Sequence, residues 1–490
     1  MNSSIIRYIL GNVMRMEACF LLLPCIVSLV YGEGVGLYYL GTAIVCLAFG
    51  MVMAWKKPKN YVFYLKEGCI ATSLSWIVMS LVGCMPFWIS GEIPSFTDAM
   101  FETVSGFTTT GASILTNVEA LSHTALFWRS FTHWIGGMGV LVFLLAIIPL
   151  SGGSNINLMR AESPGPSVGK LVPKMKYTAR ILYIIYFGMT ILEFIFLIIG
   201  KMPVFDSICT AVGTAGTGGG FGVKNDSLGS YSPYLQWVVA IFMILFGVNF
   251  NAYYYIIYRH FKKAFKMEEV RCYFAIILIA TAIIFANILD RCVSIFDALT
   301  KSVFQVASLI TSTGFSSTDF NLWPQICRTV LVLIMFIGAC AGSTGGGIKV
   351  SRVIVLFKTM IKELHSYIHP KSIRKVNLDG KPVEHEIVRS INVYIVTFVI
   401  IFASSVFMVA FDGKDLVTNF TAVLTTINNM GPGLAEVGPA GNFSSFSVFS
   451  KFVFMFDMLA GRLELFPLLI LFHPSAWKDL ISKRAEARKF

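Results

Sequence analysis

Charged residues are scarce in this sequence. Asp, Glu, Lys and Arg make up only 13% of its 490 residues, whereas soluble domains carry about 25%. Hydrophobic residues reach 56%, and several apolar runs exceed the roughly 18 residues that mark a membrane-spanning helix. Long hydrophilic segments, in which a soluble catalytic domain could fold, are also missing. The composition therefore predicts a multi-pass membrane protein and excludes a soluble enzyme with an anchor.

Catalytic and cofactor-binding motifs are missing as well. The ten cysteines never form CxxC, so we expect neither a disulfide framework nor a thiolate metal site. Two glycine-rich stretches resemble nucleotide-binding loops, but Ile348 precedes Lys349 in one, and Phe221 replaces a required glycine in the other. There is no HExxH, nucleophile motif or clustered acid pair. We therefore expect a chain that is not an enzyme and carries no organic cofactor.

The net charge of +12 is unevenly distributed. Basic residues follow alternate apolar runs and the intervening loops are acidic, which matches the positive-inside rule. This alternation predicts cytoplasmic termini and an even number of spans. Ten apolar runs have a suitable length, namely 11–31, 37–55, 68–90, 125–150, 178–200, 234–260, 271–289, 324–360, 390–411 and 447–473.

Four gaps between these spans share one design. Each opens near an aspartate, continues as a short semi-apolar segment and ends in glycine with small polar residues. They read FTDAMFETVSGFTTTGAS, FDSICTAVGTAGTGGGFG, FDALTKSVFQVASLITSTGFSS and DLVTNFTAVLTTINNMGPG. Self-similarity at a near-fixed interval, here about a hundred residues, indicates a repeat architecture. Each repeat would hold a spanning helix, a half-span helix with a turn, and another spanning helix.

The half-span helices predict a cation pathway. Ser95 and Ser294, each three residues before an aspartate, are typical helix N-caps. Irregular backbone at membrane depth is tolerated only inside protein or along a watery cavity, so we expect the four turns to meet around one axis. The C-terminal end of each short helix carries about −0.5 of an elementary charge, and turn carbonyls can replace a cation's hydration shell. Separate polar loops or small-residue helix contacts are the alternative, which the fourfold recurrence disfavours.

These features resemble the TrkH family of bacterial potassium uptake subunits, within the Trk/Ktr/HKT superfamily. The most specific stretches are SGFTTTGAS (105–113), HWIGGMGVLVF (133–143), MRAESPGPSVGKLVPKM (159–175), GSTGGGIKVSR (342–352) and GRLELFPLLILFHPSAWK (461–478). The resemblance implies an all-α integral membrane protein with ten transmembrane helices and four helix–pore-loop–helix repeats around one pseudo-fourfold pore. The implied units are two extra N-terminal helices and four repeats, at residues 1–60, 61–177, 178–266, 267–385 and 386–490.

In that family, the marker glycine of each repeat lies in a potassium selectivity filter. The resemblance implies a filter built from Thr109, Thr110, Gly111, Ser312, Thr313, Gly314, Asn429, Met430 and Gly431. The second repeat offers Gly218, Gly219 or Gly220, and its register stays open. Superfamily members that pass sodium often have serine in place of a filter glycine, so glycine in all four repeats favours potassium.

Span eight is interrupted by IGACAGSTGGGIKV (337–350). Its five glycines would undermine a continuous helix, at about 0.8–1 kcal/mol each relative to alanine. A tightly packed helix kink is one interpretation. The resemblance implies instead a gate beneath the filter, made of Gly342, Ser343, Thr344, Gly345, Gly346, Gly347 and Lys349.

Arg462 lies within span ten, where an arginine at the bilayer centre costs about 2.5–3.5 kcal/mol. One interpretation is a salt bridge to another span, with Glu193 as a candidate partner. Asp457 and Glu464 are separated from it by five and two positions, spacings that do not share a helix face. The interpretation that the resemblance supports is a fixed positive charge in the permeation path.

The sequence thus predicts a potassium-conducting uptake subunit of the TrkH type in the bacterial inner membrane, with K+ as the transported ion. An H+- or Na+-coupled secondary cation symporter is the alternative, because broken helices around a midplane site also suit that design. Glu193 or Asp457 would then be its proton relay. The resemblance also implies a homodimer and a cytosolic TrkA-type ring that binds NAD or ATP. The basic inner segments 160–176 and 349–389 and the C-terminus are candidate docking surfaces for that ring or for lipid headgroups.

Overall fold

The computed structural model is almost entirely helical over the part of the chain that it describes. Those residues are 2–58, 64–137, 139, 175–371 and 374–477. The motif at 159–174, the second half of predicted span 125–150 and the basic C-terminus from 478 lie outside them. The strands in the described residues, β1 (Asn377–Leu378) and β2 (Lys381–Pro382), pair antiparallel in a small hairpin.

Two apolar segments precede the first repeat. α1 (Ser3–Phe20) continues after one residue into α2 (Leu22–Tyr31), and α3 (Gly36–Ala54) returns alongside α1. Glycine brings α1 and α3 close together, since a Cβ on Gly11 would lie only 2.7 Å from the backbone nitrogen of Ala54. The two segments therefore pack backbone against backbone.

The first helix of each repeat is long and continuous. These helices are α4 (Leu65–Ile89), α7 (Met175–Ile199), α12 (Glu268–Ile288) and α16 (His385–Val409). Their outward faces carry large apolar side chains that stay exposed, among them Leu278 at 71% and Phe407 at 69%. Exposed apolar surface of this extent fits contact with lipid rather than water.

A short helix follows each long one. These are α5 (Phe96–Phe107), α8 (Val204–Gly216), α13 (Ile295–Ile310) and α17 (Leu416–Ile427). As the sequence predicts, the side chains of Ser95 and Ser294 cap α5 and α13 by accepting a hydrogen bond from the backbone N–H three residues on. Asp415 caps α17 in the same way. The C-terminal halves of all four helices are buried, so their carbonyl ends point into the protein.

The second helix is interrupted in repeats two, three and four. In repeat one, the described residues contain α6 (His123–Gly137). The other segments are α9 (Pro233–Phe246) with α10 (Phe250–Ile257), α14 (Gln325–Ile337) with α15 (Val350–Ile368), and α18 (Val448–Arg462) with α19 (Phe466–Phe472), while α11 (Phe261–Lys266) joins repeats two and three. The apolar runs 234–260 and 447–473, each predicted as a span, are divided between two helices. α9 and α10 meet at 92°, because Asn249 starts a new helix by accepting from the N–H of Asn251. α18 ends where Glu464 and Leu465 both adopt positive φ.

Among the described residues, six helices are long and apolar enough to cross a membrane, and the bent α9–α10 pair would make seven. The count of ten spans therefore stays a prediction. It differs from the number of continuous helices because the second helices of repeats two, three and four are interrupted. Those interruptions place irregular backbone next to the ends of the short helices.

Candidate ion-conduction site

The chain turns in a similar way after each short helix. In three repeats, a residue with φ between 54° and 59° is followed two positions later by a glycine with φ between 77° and 86°. These pairs are Thr109 and Gly111, Ser312 and Gly314, and Asn429 and Gly431. Non-glycine residues rarely adopt positive φ, so its recurrence at corresponding positions identifies one repeated backbone design.

Hydrogen bonds establish the register of the second repeat. The N–H of Thr110 donates to the carbonyl five residues earlier at 2.9 Å, and Thr313 and Met430 do the same at 2.8 and 2.9 Å. In the second repeat, the N–H of Gly218 makes this bond, at 3.0 Å. Gly219 therefore corresponds to Gly111. The corresponding left-handed residue is Thr217, at φ 54°, which sequence reasoning missed because the glycine run hid it.

We refer to residues 109–111, 217–220, 312–314 and 429–431 as turns 1 to 4. Turns 1, 2 and 3 are in backbone contact. The N–H of Gly220 donates to the carbonyl of Thr313 at 3.1 Å, and a Cβ on Gly111 would lie 2.9 Å from the Cα of Gly220.

Turn 4 closes the ring. A Cβ on Gly314 would lie 2.9 Å from Pro432 Cδ, and one on Gly431 would lie 2.9 Å from the carbonyl oxygen of Thr110. Asn429 Nδ2 also donates to Thr110 Oγ1 at 3.0 Å. The four turns therefore succeed each other around one axis, and the close approach of their backbones requires glycine.

Several carbonyls of this ring have no hydrogen-bond donor. Within the described residues, no hydrogen bond reaches the carbonyl oxygens of Thr109, Thr110, Ser312, Asn429 and Met430. All five residues are at most 1% exposed. Buried carbonyls are nearly always paired, so a cluster of unpaired ones at the negative ends of three of the short helices is suited to a dehydrated cation.

A buried ion pair lies behind turn 1. Arg129 Nε and Glu102 Oε1 are 2.6 Å apart, with the two side chains 1% and 0% exposed. The other carboxylate oxygen accepts from the N–H of Ile114 at 3.0 Å, and Arg129 Nη1 donates to the carbonyl of Gly222 at 3.2 Å. The pair therefore connects the chain following turn 1 with that following turn 2. No sequence pattern predicts that Arg129 binds Glu102.

The glycine-rich stretch 338–349, which we call the loop, lies against the ring. The carbonyl of Thr344 accepts from Thr217 Oγ1 at 3.0 Å, and its hydroxyl donates to the carbonyl of Phe246 at 3.3 Å. The N–H of Gly346 donates to Ser312 Oγ. A Cβ on Gly345 would lie 2.7 Å from the carbonyl of Thr311. The loop is thus in direct contact with turns 2 and 3.

The other predicted gate residues hold the loop's shape. The carbonyl of Gly342 accepts from the N–H of Phe250 at 3.0 Å. Ser343 Oγ donates to the carbonyl of Cys340 at 2.6 Å. Lys349 Nζ donates to the carbonyl of Gly345. Gly347, at φ 81°, makes the chain reversal before α15.

Arg462 joins the loop to repeat one. Its Nη1 donates to the carbonyl of Thr344 at 3.1 Å and to Thr109 Oγ1 at 3.3 Å. Its Nη2 donates to the carbonyl of Gly137 at 2.8 Å and to that of Gly136. The guanidinium therefore lies between turn 1, the end of α6 and the loop.

The acids considered as partners of Arg462 are placed elsewhere. Within the described residues, neither carboxylate oxygen of Glu193 has a hydrogen-bond partner, so the predicted alternative of a Glu193–Arg462 salt bridge is wrong. Glu464 pairs with Arg352. Asp457 accepts from Ser405 Oγ at 2.8 Å.

Several known proteins are similar to this chain over nearly its whole length. The Trk system potassium uptake proteins TrkH of Salmonella typhimurium and of Escherichia coli K12 are each 34% identical over 485 residues, covering 97% of this chain and 99% of the relative. The crystal structure of the potassium transporter TrkH from Vibrio parahaemolyticus matches with a TM-score of 0.88 at 30% identity, over 97% of this chain and 100% of that one. The TrkH family, described as cation transport proteins, matches residues 39–479. The chain belongs to the TrkH family.

Proposed function

We propose that this chain conducts K+ inward across the membrane through the ring of four turns. The observation that carries the proposal is the set of buried carbonyls without hydrogen-bond donors, contributed by turns 1, 3 and 4 around one axis. Carbonyls in such a ring replace the hydration shell of a cation. The similar proteins are named as potassium uptake proteins, and glycine stands at the marker position of every repeat.

The driving force needs no catalytic group. A membrane potential supplies about 2.3 kcal/mol per charge for each 100 mV, which concentrates a cation on the negative side. The chain therefore acts as an ion-conducting subunit and not as an enzyme. We place its basic segments and both termini on the cytoplasmic side of a bacterial inner membrane, as the positive-inside rule favours.

The loop and Arg462 are proposed to control passage below the ring. The contacts of Thr344 with Thr217 and Arg462 support this role, because they place polar backbone and a fixed positive charge directly against the turns. A positive charge in a pore is an electrostatic barrier to cations. Passage then requires that the loop moves away from turns 2 and 3.

Assembly and repeat boundaries complete the proposal. We propose a homodimer that works with a cytosolic TrkA-type ring, with NAD or ATP bound to that partner only, and four repeats at 61–177, 178–266, 267–385 and 386–490. Two observations support this assembly. The relatives are named as proteins of a Trk system, and segment 349–389, which we place in the cytoplasm, is basic.

A coupled H+ or Na+ symporter is the second candidate. The observation that favours it is the buried carboxylate of Glu193, which has no hydrogen-bond partner among the described residues. A buried acid of this kind is a typical proton-relay group in transporters. Asp457 is the other buried acid, and its carboxylate is already engaged by Ser405.

The test is tracer flux into liposomes that contain the purified chain. With an inward K+ gradient and no proton or sodium gradient, we expect Rb+ uptake that K+ competes with and Na+ does not. Uptake that requires a proton or sodium gradient, and that is lost in Glu193→Gln, would replace the channel mechanism with the symporter. Empty liposomes and the Gly91→Ser variant, altered far from the ring, are the controls.

A further inference from the structure

Glu269, at the cytoplasmic start of α12, binds both ends of the loop. Its Oε1 accepts from the N–H of Ala341 at 2.6 Å and from the N–H of Ser351 at 3.1 Å. Its Oε2 accepts from Asn249 Nδ2 at 3.2 Å. One carboxylate thus joins the beginning of the loop, the start of α15 and the break between α9 and α10.

Two backbone N–H groups and one side-chain amide surround the Glu269 carboxylate. Ser351 is in the first turn of α15, where the backbone N–H groups and the helix dipole stabilise an anion. The Glu269 residue is only 4% exposed, and a buried carboxylate with several N–H donors is strongly held. Its three donors come from three separate segments, so the carboxylate fixes their relative positions.

Glu268, the residue before Glu269, contacts the cytosolic hairpin of β1 and β2. The N–H of Glu268 donates to Asp379 Oδ1 at 2.6 Å. Lys358 on α15 pairs with the Glu268 carboxylate, and its Nζ also donates to the carbonyl of Asn377 at 2.8 Å. The hairpin reverses at Asp379 and Gly380, which both adopt positive φ, as in the tight turns that suit Asp-Gly. A displacement of the hairpin therefore acts on the residue next to Glu269.

We propose that Glu269 is a positioning residue that keeps the loop against the ring, and that the hairpin at 377–382 transmits movement from the cytosolic surface to it. The proposal rests on the gating role of the loop given above. Release of Glu269 from Ala341 and Ser351 frees the beginning of the loop and the helix start that follows it at once. No other carboxylate in the described residues accepts from the loop backbone.

The experiment has two readouts on Glu269→Ala, Asp379→Ala and the control Glu363→Ala. Glu363 lies on α15 with a side chain that is 56% exposed. The first readout is Rb+ flux in proteoliposomes. The second is the rate at which N-ethylmaleimide alkylates Cys340 in the loop, compared by peptide mass spectrometry with Cys84 in α4. Both thiols belong to residues that are 0% exposed.

We expect Glu269→Ala to raise flux and Cys340 alkylation by about tenfold or more, as loss of hydrogen bonds to a charged group predicts. Cys84 alkylation and the K+/Na+ ratio should stay unchanged, and Glu363→Ala should behave as wild type. Asp379→Ala should raise the same two quantities by a smaller factor. Equal increases at Cys340 and Cys84 would mean general destabilisation and overturn the proposal, as would unchanged alkylation of Cys340.

The outcomes also separate this proposal from the proposed function. A wild-type chain without K+ flux would contradict conduction, while the alkylation of Cys340 would still test whether Glu269 holds the loop. If Glu269→Ala exposes Cys340 and Asp379→Ala does not, the link to the hairpin is wrong.

Discussion

The ring of turns and the loop are both irregular backbone enclosed by helices, but different contacts hold them. The turns are held by backbone hydrogen bonds to their own helices and by glycine backbones in contact with each other. The loop has backbone hydrogen bonds too, and it is also held by side chains that reach it from distant segments, among them Glu269, Arg462 and Thr217. Close backbone packing resists displacement, whereas a few polar contacts can be released together. The difference supports the proposed division of roles, with selectivity in the ring and control of passage in the loop.

The largest effect is expected from the ion pair behind the ring. Glu102→Gln leaves the Arg129 charge buried without its partner, which costs about 3–5 kcal/mol of the free energy of unfolding. Thermal unfolding in detergent measures the loss. Because the pair connects the chain after turns 1 and 2, the K+/Na+ flux ratio of the variant should also fall.

Two control variants sharpen this prediction. The double variant Glu102→Gln, Arg129→Met should recover much of the stability, since a neutral replacement of a buried pair is often tolerated. Lys301→Met removes the partly exposed pair with Asp297, whose side chains are 29% and 30% exposed, and should cost at most about 1 kcal/mol. Equal losses in Glu102→Gln and Lys301→Met would show that burial of the pair is unimportant.

The next effect concerns the glycine of turn 1. Gly111→Ser places a Cβ 2.9 Å from the backbone of Gly220 at φ 77°. The left-handed conformation alone costs about 1–2 kcal/mol, roughly a tenfold change in an equilibrium. We expect the K+/Na+ flux ratio to fall by about that factor. Gly91→Ser has the same φ penalty at 79° with nothing within 4 Å, so it should keep the ratio. If the K+/Na+ flux ratio fell in both variants, backbone strain in general would be the cause.

A change of similar size is expected at Arg462, but in flux alone. Arg462→Ala removes the hydrogen bonds to Thr344 and Thr109 and the positive charge between the loop and turn 1. Loss of hydrogen bonds to a charged group predicts about a tenfold rise in Rb+ flux, with an unchanged K+/Na+ ratio. Arg462→Lys keeps the charge but not the planar set of donors, and its flux should be intermediate. A change in ratio without a change in flux would contradict the division of roles between ring and loop.

The smallest effect lies outside both regions. Desolvation acts to raise the pKa of Glu33, but hydrogen bonds from Thr124 and His123 at the start of α6 outweigh it and hold that pKa below its usual value. The stabilisation is therefore present above the pKa of an unfolded glutamate, about 4.3, and is lost as pH falls through the lower folded value. Glu33→Ala should cost about 0.5–2 kcal/mol at neutral pH, and much less in acid. Thermal unfolding at neutral and at acidic pH measures this difference in stability. The flux per folded protein should not change.

Much of the fold could be predicted from sequence signals that involve only neighbouring residues. Ser95 and Ser294 were identified as helix starts because capping depends on residues only three positions apart. The marker glycines were found because the pattern recurs four times. Arg129 and Glu269 were missed, since their partners lie in other segments and a single buried charge has no periodicity, and Thr217 was missed because it precedes a run of glycines. The breaks in spans six and ten were missed because hydropathy depends on composition and does not report where a helix changes its direction.

The sequence by itself determined the membrane location, the repeat pattern and the glycine at each turn, because lipid burial and backbone conformation constrain residues locally. Only the tertiary structure decided the register of turn 2, the ion pair behind turn 1 and the partners of Arg462 and Glu269. The ion pair and the partners of Arg462 and Glu269 join residues between 20 and 353 positions apart, and their geometry depends on how the four repeats pack around the axis.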